Sequence, residues 1–538
     1  MKLLRTISLM LLLAIWTPRP AIAAERPEAQ VSQGRLAGSW QNGVRVFRGI
    51  PYAAPPVGER RWRPPVAPAG WPGMRDAGAF GPSCIQAPYP RESVYFEGLG
   101  PIAEDCLTLN IWAPRRAAKA PVIVWIHGGA LLRGSSAGPM YDGTEFARRG
   151  VIFVSINYRL GIFGWLAHPA LSAESPQRVS GNYGLLDQVA ALAWVRDNIR
   201  AFGGDPRQVT VMGESAGALS ITYLLTSPQG RGLFAGAILQ SANIRPVPAL
   251  RDTVFGLAPA EATGAAIAAR AGARTLRDLR AMDAGAVLAA AQASGFAAQG
   301  TIDGQILPAQ VVERFDRGEQ AGVPILAGFN SGEVRSQRAL VPAIPADAAV
   351  YRHEIERRYL GLAPAFLRLY PASDMQASLL AATRDAVYGW ATERMVRQQS
   401  AAGHPSYLYF FDHCYPAARA RDLCAFHASE LPFVFGRTSL AEAAPNWPVP
   451  RSAIDQRLAD RMIDYWVAFA RTGNPSSRTL PEWPAFAADR AYMRFGPGAS
   501  AERNLLSGMF ELQEQVVARR RSRREPWFTN IGPVAPLP

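Results

Sequence analysis

A serine hydroxyl is a weak nucleophile until a neighbouring base takes its proton and the backbone holds it clear of other side chains. Ser215 stands in a stretch built for this, Phe202-Gly-Gly-Asp-Pro-Arg-Gln-Val-Thr-Val-Met-Gly-Glu-Ser-Ala-Gly217. Its last five residues, Gly213 to Gly217, have the Gly-x-Ser-x-Gly form of a nucleophile elbow, in which a strand turns sharply into a helix. The apolar run Val209 to Met212 predicts the strand, and Leu219, Tyr223 and Leu224 recur at helical spacing until Pro228 stops them. Ser215 is thereby expected at the amino end of a helix, where unpaired N–H groups favour negative charge. A second match, Gly134-Ser135-Ser136-Ala137-Gly138, has no β-like run before it, and Pro139 and Gly143 discourage a helix after it, so Ser136 reads as a loop serine.

The usual base for such a hydroxyl is an imidazole, because its pKa lies near neutrality, with a carboxylate fixing the tautomer. In α/β sheets the three follow in the order Ser, Asp or Glu, His. Glu333 meets that order, just beyond the apolar run Val323 to Gly328. His413 and His427 both follow the strand-like Tyr407 to Phe411, and spacing alone does not choose between them. The turn His127-Gly128-Gly129-Ala130 ends another apolar run, Val122 to Ile126. Backbone N–H groups in such a turn can point into a cleft as an oxyanion hole requires, and His127 inside it reads as structural.

These groups must be positioned by the elements around them. Gly43 to Phe47 and Glu104 to Trp112 read as strands, the second alternating so that one face is buried. Val122 to Ile126 and Val151 to Ile156 are nearly continuous apolar runs, as in central strands covered on both faces. Leu185 to Ile199 reads as an amphipathic helix, Ala237 to Leu239 as a strand and Ala459 to Ala470 as a late helix. The alternation of strand and helix implies a parallel sheet. Pro248 to Ser294 is alanine-rich and helical in spacing; with the loop between Cys84 and Cys106 it is expected to wall the pocket.

Hydrophobic residues at 49% and charged residues at 19% describe a globular protein with ample core. The formal charge of +14 is carried almost wholly by arginine, Lys2 and Lys119 being the only lysines. No nucleic-acid-binding module accompanies it, and the run Arg519 to Arg524 reads as the start of a solvated basic tail over about 519–538. Lys2 and Arg5, the apolar Ile7 to Trp16 and Ala21-Ile22-Ala23 describe a signal peptide over 1–23, cleaved near Ala23. That segment is too short to span a membrane, so the mature chain is expected to be exported, periplasmic or secreted. Removing it lowers the charge only to +11.

On these residues the chain resembles the type B carboxylesterases, relatives of cholinesterases and para-nitrobenzyl esterases with the α/β-hydrolase fold. Phe202 to Gly217 matches that family's serine signature throughout, and Glu104 to Pro114 its second signature. Phe47 to Pro56, Gly181 to Gln188, Thr301 to Gly304, Ala425 to Gly436 and Tyr465 to Pro475 are similar to further blocks. The resemblance implies one catalytic domain over 24–538: a large, mostly parallel sheet flanked by helices, with helical and loop insertions at the active-site entrance. It implies hydrolysis of a small-molecule ester through an acyl-enzyme, with no metal or organic cofactor. It selects His427, which stands before Glu430-Leu431-Pro432-Phe433, and assigns the acid to Glu333, although Val334 follows where the family has glycine. The oxyanion donors it implies are the N–H groups of Gly129, Ala130 and Ala216.

Four cysteines in an exported chain suggest two disulfides, with three possible pairings. The sequential pairing, Cys84 with Cys106 and Cys414 with Cys424, is the expectation; the first resembles the family's loop disulfide, the second matches no animal-type pattern. Two alternatives accompany the esterase reading: a non-catalytic, cholinesterase-like binding protein, and a hydrolase of amide, carbamate or thioester bonds. The arginine surplus points to an ester carrying carboxylates, such as a polycarboxylate ester of a natural product or toxin.

Overall fold

The computed structural model describes residues 26–538, so the signal peptide expected over 1–23 lies outside the described residues. Eleven strands form one sheet: β1 (Ser39–Gln41), β2 (Val44–Pro51), β3 (Thr108–Ala113), β4 (Ala120–Ile126), β5 (Ile152–Ile156), β6 (Gly204–Glu214), β7 (Gly236–Gln240), β8 (Ile325–Asn330), β9 (Ser406–Phe411), β10 (Ala491–Phe495) and β11 (Ala499–Arg503). Their order across the sheet is β11-β10-β9-β8-β7-β6-β4-β5-β3-β2-β1. From β5 through β4, β6, β7, β8 and β9 to β10 every pair is parallel, and both edges are antiparallel. The sheet is thus mostly parallel, as expected, with antiparallel pairs confined to its edges, where β1 with β2 and β10 with β11 are joined by short turns that need no crossover helix.

The central strands are apolar runs because both faces are covered. Every residue of β3, β4, β5, β7, β8 and β9 is buried. That includes β3, whose alternating pattern predicted one exposed face; it lies between β2 and β5, and its second face is covered too. Asn110 on that strand is tolerated in the core because its amide bonds to the hydroxyls of Ser136 and Ser155 at 3.0 and 3.1 Å.

The helices that matter to the site are α1 (Tyr183–Asn198), α2 (Ala216–Thr226), α3 (Met375–Arg384), α4 (Trp390–Ala401), α5 (Ala453–Thr472) and α6 (Met509–Ser522). α2 is buried along its whole length against β6 and β7. α1 is pinned by Asp187, which accepts from Arg159 Nε and Nη2 at 2.8 and 2.7 Å and from the Arg159 backbone N–H at 3.0 Å. α5 opens with a capping box, Ser452 and Asp455 satisfying each other's backbone N–H groups. The alanine-rich region forms helices at Ala260–Arg270, Leu276–Ala281 and Ala284–Ala293, which pack with Trp62, Phe163 and Leu171 into a satellite core of their own.

The two disulfides are the sequential ones, Cys84–Cys106 and Cys414–Cys424, with Cα atoms 5.0 and 4.5 Å apart. The arginine run does not begin a solvated tail. Arg520 is buried and donates to the carbonyls of Thr529 and Asn530 at 2.7 and 2.6 Å, Arg519 donates to Tyr359 O at 2.8 Å, and Arg521 pairs with Asp316 at 2.9 Å. The segment beyond folds back and seats Trp527 in the core, its indole donating to Ile244 O at 2.9 Å. Among the described residues no helix is long and apolar enough to cross a membrane.

Candidate active site

Ser215 joins β6 to α2 in a conformation few non-glycine residues adopt, φ 56° and ψ −118°. The turn is that tight because the helix must lie directly on the strands. A Cβ on Gly217 would stand 2.0 Å from Ile126 O, and one on Gly213 would stand 2.7 Å from the Gly217 carbonyl carbon. The Ser215 N–H donates to Gln240 O at 2.9 Å, fastening the elbow to the end of β7. The turn after β4 approaches from the other side: a Cβ on Gly128 would meet Ser215 Cβ at 3.2 Å. Gly129 has φ 102° and Ala130 φ 58°, so consecutive residues after β4 sit in left-handed conformations. Among the described residues the N–H groups of Gly129, Ala130 and Ala216 donate to no protein acceptor.

Glu333 and His427 meet as a pair. Glu333 Oε2 lies 2.5 Å from His427 Nδ1, and the His427 N–H donates to Glu333 O at 3.2 Å. The other carboxylate oxygen, Oε1, accepts from Ser241 Oγ at 2.6 Å and from the Asn330 N–H at 2.8 Å. Glu333 has no exposed surface, and all its acceptors point at partners, which fixes the imidazole's orientation. Val334 does not spoil the turn, since Glu333–Arg335 forms a 3₁₀ turn whose start is Gly332; a Cβ there would meet Cys424 O at 1.9 Å. The glycine this turn requires stands before Glu333, not after it.

Ser215, His427, Gly128, Gly129 and Ala130 line one cavity of about 210 Å³, with Tyr89, Tyr95 and Glu97 from the Cys84–Cys106 loop. Glu214, Gln337, Leu431, Ala444 and Trp447 contribute further walls. The disulfide-tethered loop contributes as expected; the alanine-rich helices do not, because they are absorbed by their own core. No hydrogen bond joins Ser215 to His427, whose Nε2 lacks a hydrogen-bond partner among the described residues.

The rejected candidates are held elsewhere. His413 is buried with Nε2 2.6 Å from Asp455 Oδ1, at the start of α5 and outside the cavity lining. His127 is fully buried, stacked on Tyr158 at 4.6 Å, with Nδ1 2.9 Å from Gly128 O. Burial pushes its pKa down to about 4, so it is neutral at pH 7. Ser136 is a buried loop serine bonded to Asn110.

Several groups around the imidazole went unread in the sequence. The Glu214 carboxylate lies 3.1 Å from His427 Nε2. Burial, with help from Glu430 and Glu333, raises the Glu214 pKa against the pull of His427. Burial lowers the His427 pKa, but the charges of Glu214 and Glu333 and the Glu333 hydrogen bond outweigh it and the net shift is upward. Tyr388 lies over the His427 ring at 5.0 Å, on a single π-helical turn (Asp385–Gly389) between α3 and α4. Tyr95 donates its hydroxyl to His427 O at 3.1 Å. Glu214 stood beside the serine and carried a signal; Tyr388 had none, because an inserted turn has no sequence period.

The carboxylesterase family model matches residues 25–512. The chain is 38% identical to a fumonisin B1 esterase of Sphingopyxis macrogoltabida, covering 89% of this chain and 90% of that protein. It is 36% identical to a para-nitrobenzyl esterase of Bacillus subtilis (strain 168), covering 84% and 91%. A solved para-nitrobenzyl esterase superposes with a TM-score of 0.77 at 32% identity, over 91% of this chain and 99% of that one, so the sheet described above is the α/β-hydrolase sheet. With its fold and nearly its whole length matched to esterases, this chain belongs to the carboxylesterase family and is a carboxylic ester hydrolase.

Proposed function

We propose that the chain is an exported serine esterase, one catalytic domain from about residue 24, in which Ser215 is the nucleophile, His427 the base and Glu333 its orienting acid. The observation that carries this reading is the Glu333–His427 pair at 2.5 Å, opening onto the cavity that the strained Ser215 also lines. Ser215 Oγ attacks the ester carbonyl carbon and its proton passes to His427 Nε2. The N–H groups of Gly129, Ala130 and Ala216 receive the oxyanion; losing one such donor raises a barrier by roughly 3 kcal/mol. Collapse of the tetrahedral adduct expels the alcohol, which takes the proton from Nε2. Water, deprotonated by the same nitrogen, then attacks the acyl-enzyme and regenerates Ser215.

The paired cysteines support export, since disulfides persist in oxidising compartments. For the substrate, the relative named for fumonisin B1 makes that ester the first to assay. The arginine surplus favours an ester with free carboxylates, although the cavity itself is lined by Glu97 and Glu214 and by no arginine. Burial pushes Glu97 up to about 7, which lessens its repulsion of an anion.

The test is covalent. An organophosphate should add one phosphoryl group to Ser215, located by peptide mass spectrometry, and Ser215→Ala should show neither adduct nor turnover. Full turnover by Ser215→Ala would sink the assignment, and folded wild-type protein with neither adduct nor turnover on any activated ester would favour the non-catalytic alternative.

A further inference from the structure

A catalytic imidazole needs its tautomer fixed and the plane of its ring held. Glu333 fixes the tautomer through its 2.5 Å contact with Nδ1. One bond at one nitrogen leaves the plane free to tilt, and the Glu214 carboxylate, 3.1 Å from Nε2, offers that nitrogen an alternative to Ser215. What else meets the ring is aromatic. Tyr388 lies over its face, with ring centroids 5.0 Å apart and planes tilted by 31°, and Tyr95 stands nearly perpendicular to it at 6.5 Å.

Tyr388 is brought there by an irregularity in the chain. α3 and α4 follow one another from Met375 to Ala401, and the π turn Asp385–Gly389 is set between them. The residue such a turn adds rotates all that follows by roughly 100°, and π turns are uncommon outside functional sites. This one is buried throughout and is held at its start, where Asp385 accepts from the Tyr370 hydroxyl at 2.8 Å and from Arg384 Nε at 2.7 Å. Arg384 also donates to Ser331 O at 3.1 Å, in the segment between β8 and Glu333. The turn that carries Tyr388 and the turn that carries Glu333 are thereby fastened together, so ring and carboxylate meet the imidazole in a fixed relation. The Tyr388 hydroxyl donates to Gln337 Oε1 at 2.7 Å. Burial and the charge of Glu333 push its pKa well up, so the ring stays neutral.

The face contact also bears on charge. When Nε2 takes the serine proton the imidazole becomes a cation, and it stays one until the alcohol leaves with that proton. An aromatic face within about 6 Å attracts such a cation. We infer that Tyr388 is a positioning residue of the esterase reaction, its ring face holding the plane of the His427 imidazole and stabilising the imidazolium formed at each proton transfer. This rests on His427 being the base.

The test compares Tyr388→Leu, which removes the ring, with Tyr388→Phe, which removes only the hydroxyl. On ethyl butanoate, a neutral unactivated ester, Tyr388→Leu should lower kcat at least about tenfold with KM within about threefold. It should also move the acid limb of kcat/KM to lower pH by about half a unit, because the ring favours the charged imidazole. Tyr388→Phe should recover kcat to within about threefold of wild type and return the limb to its wild-type position. Glu214, Glu333 and Glu430, whose charges act on the imidazole, are the same in all three proteins. Equal losses in the two variants would make the hydroxyl and its Gln337 bond responsible. An unmoved limb in Tyr388→Leu, wild-type kcat, or a loss confined to KM would show that the ring only packs, and each of these results overturns the inference. If Tyr388→Leu does not fold, phenylalanines of increasing ring fluorination in place of Tyr388 keep the shape and weaken the face. The limb should then move to lower pH and kcat fall with each step, and values unchanged across the series count against the inference. Failure of the base assignment shows separately, as turnover of ethyl butanoate surviving in His427→Ala.

Discussion

At the scale of single residues, His427 is held between two carboxyls, Glu333 at Nδ1 and Glu214 3.1 Å from Nε2. A base works only when neutral, and here the net effect of both carboxyls is to favour the charged imidazole. The acid limb of kcat/KM should therefore lie above the ordinary histidine pKa. Glu214 is the largest of the raising influences, so Glu214→Gln should move that limb to lower pH, by about one unit. A pH profile on a neutral ester measures this, and an unmoved limb would mean that Glu214 is already protonated when the base titrates. The two histidines that spacing could not separate should part in the same assay. His427→Ala should lose turnover by roughly 10⁴-fold or more. His413→Ala should keep it and instead lose roughly 1–3 kcal/mol of stability, because Asp455 is left buried without its partner.

At the scale of elements, the site is made by strands ending at one edge of a sheet and by glycines that let α2 touch it. Gly217→Ala would push a methyl to 2.0 Å from Ile126 O, a backbone atom that cannot step aside. α2 must then lift from β4 and β6, at a cost of roughly 1–3 kcal/mol in denaturant melts, and Ser215 moves with it. Turnover should fall by more than the population unfolded; an active variant with wild-type stability would show the elbow to be slack. Such close contacts explain what the sequence disclosed. β4, β5 and β8 were legible because burial on two faces leaves continuous apolar runs, and the elbow because its glycines are required by sterics. β10 and the edge strand β11, antiparallel to it, were missed: β11 has no buried residue and so no pattern to read. Ser241 and Tyr388 were missed for another reason. They reach the site through packing between distant segments, and nothing local in the chain records that.

At the scale of the whole molecule, the arginine surplus is largely structural. Arg394 bridges Asp316 and Glu514, Arg490 bridges Glu393 and Glu511, and Arg519 to Arg521 fasten the carboxyl-terminal segment on which Trp527 returns to the β7 loop. Among the described residues, the part of the Cys84–Cys106 loop that lines the cavity carries no such network. The loop between Cys84 and Cys106 forms only the two-residue strands Ser83–Cys84 and Ile102–Ala103, and between them Tyr89, Tyr95 and Glu97 face the candidate nucleophile. The disulfide spans 22 residues, and closing a loop of that size stabilises by about 3 kcal/mol on the chain-entropy model. Replacing both cysteines by serine should lower stability by about that amount. It should also lower kcat/KM severalfold at a temperature where the variant is fully folded, because Tyr95 must stay ordered to hold the His427 carbonyl. Circular dichroism fixes the folded temperature and initial rates on a neutral ester give the second effect. Unchanged kcat/KM would mean that Asn446, which donates to Arg91 O and Ser93 O at 2.6 and 2.9 Å, suffices to hold the loop in place.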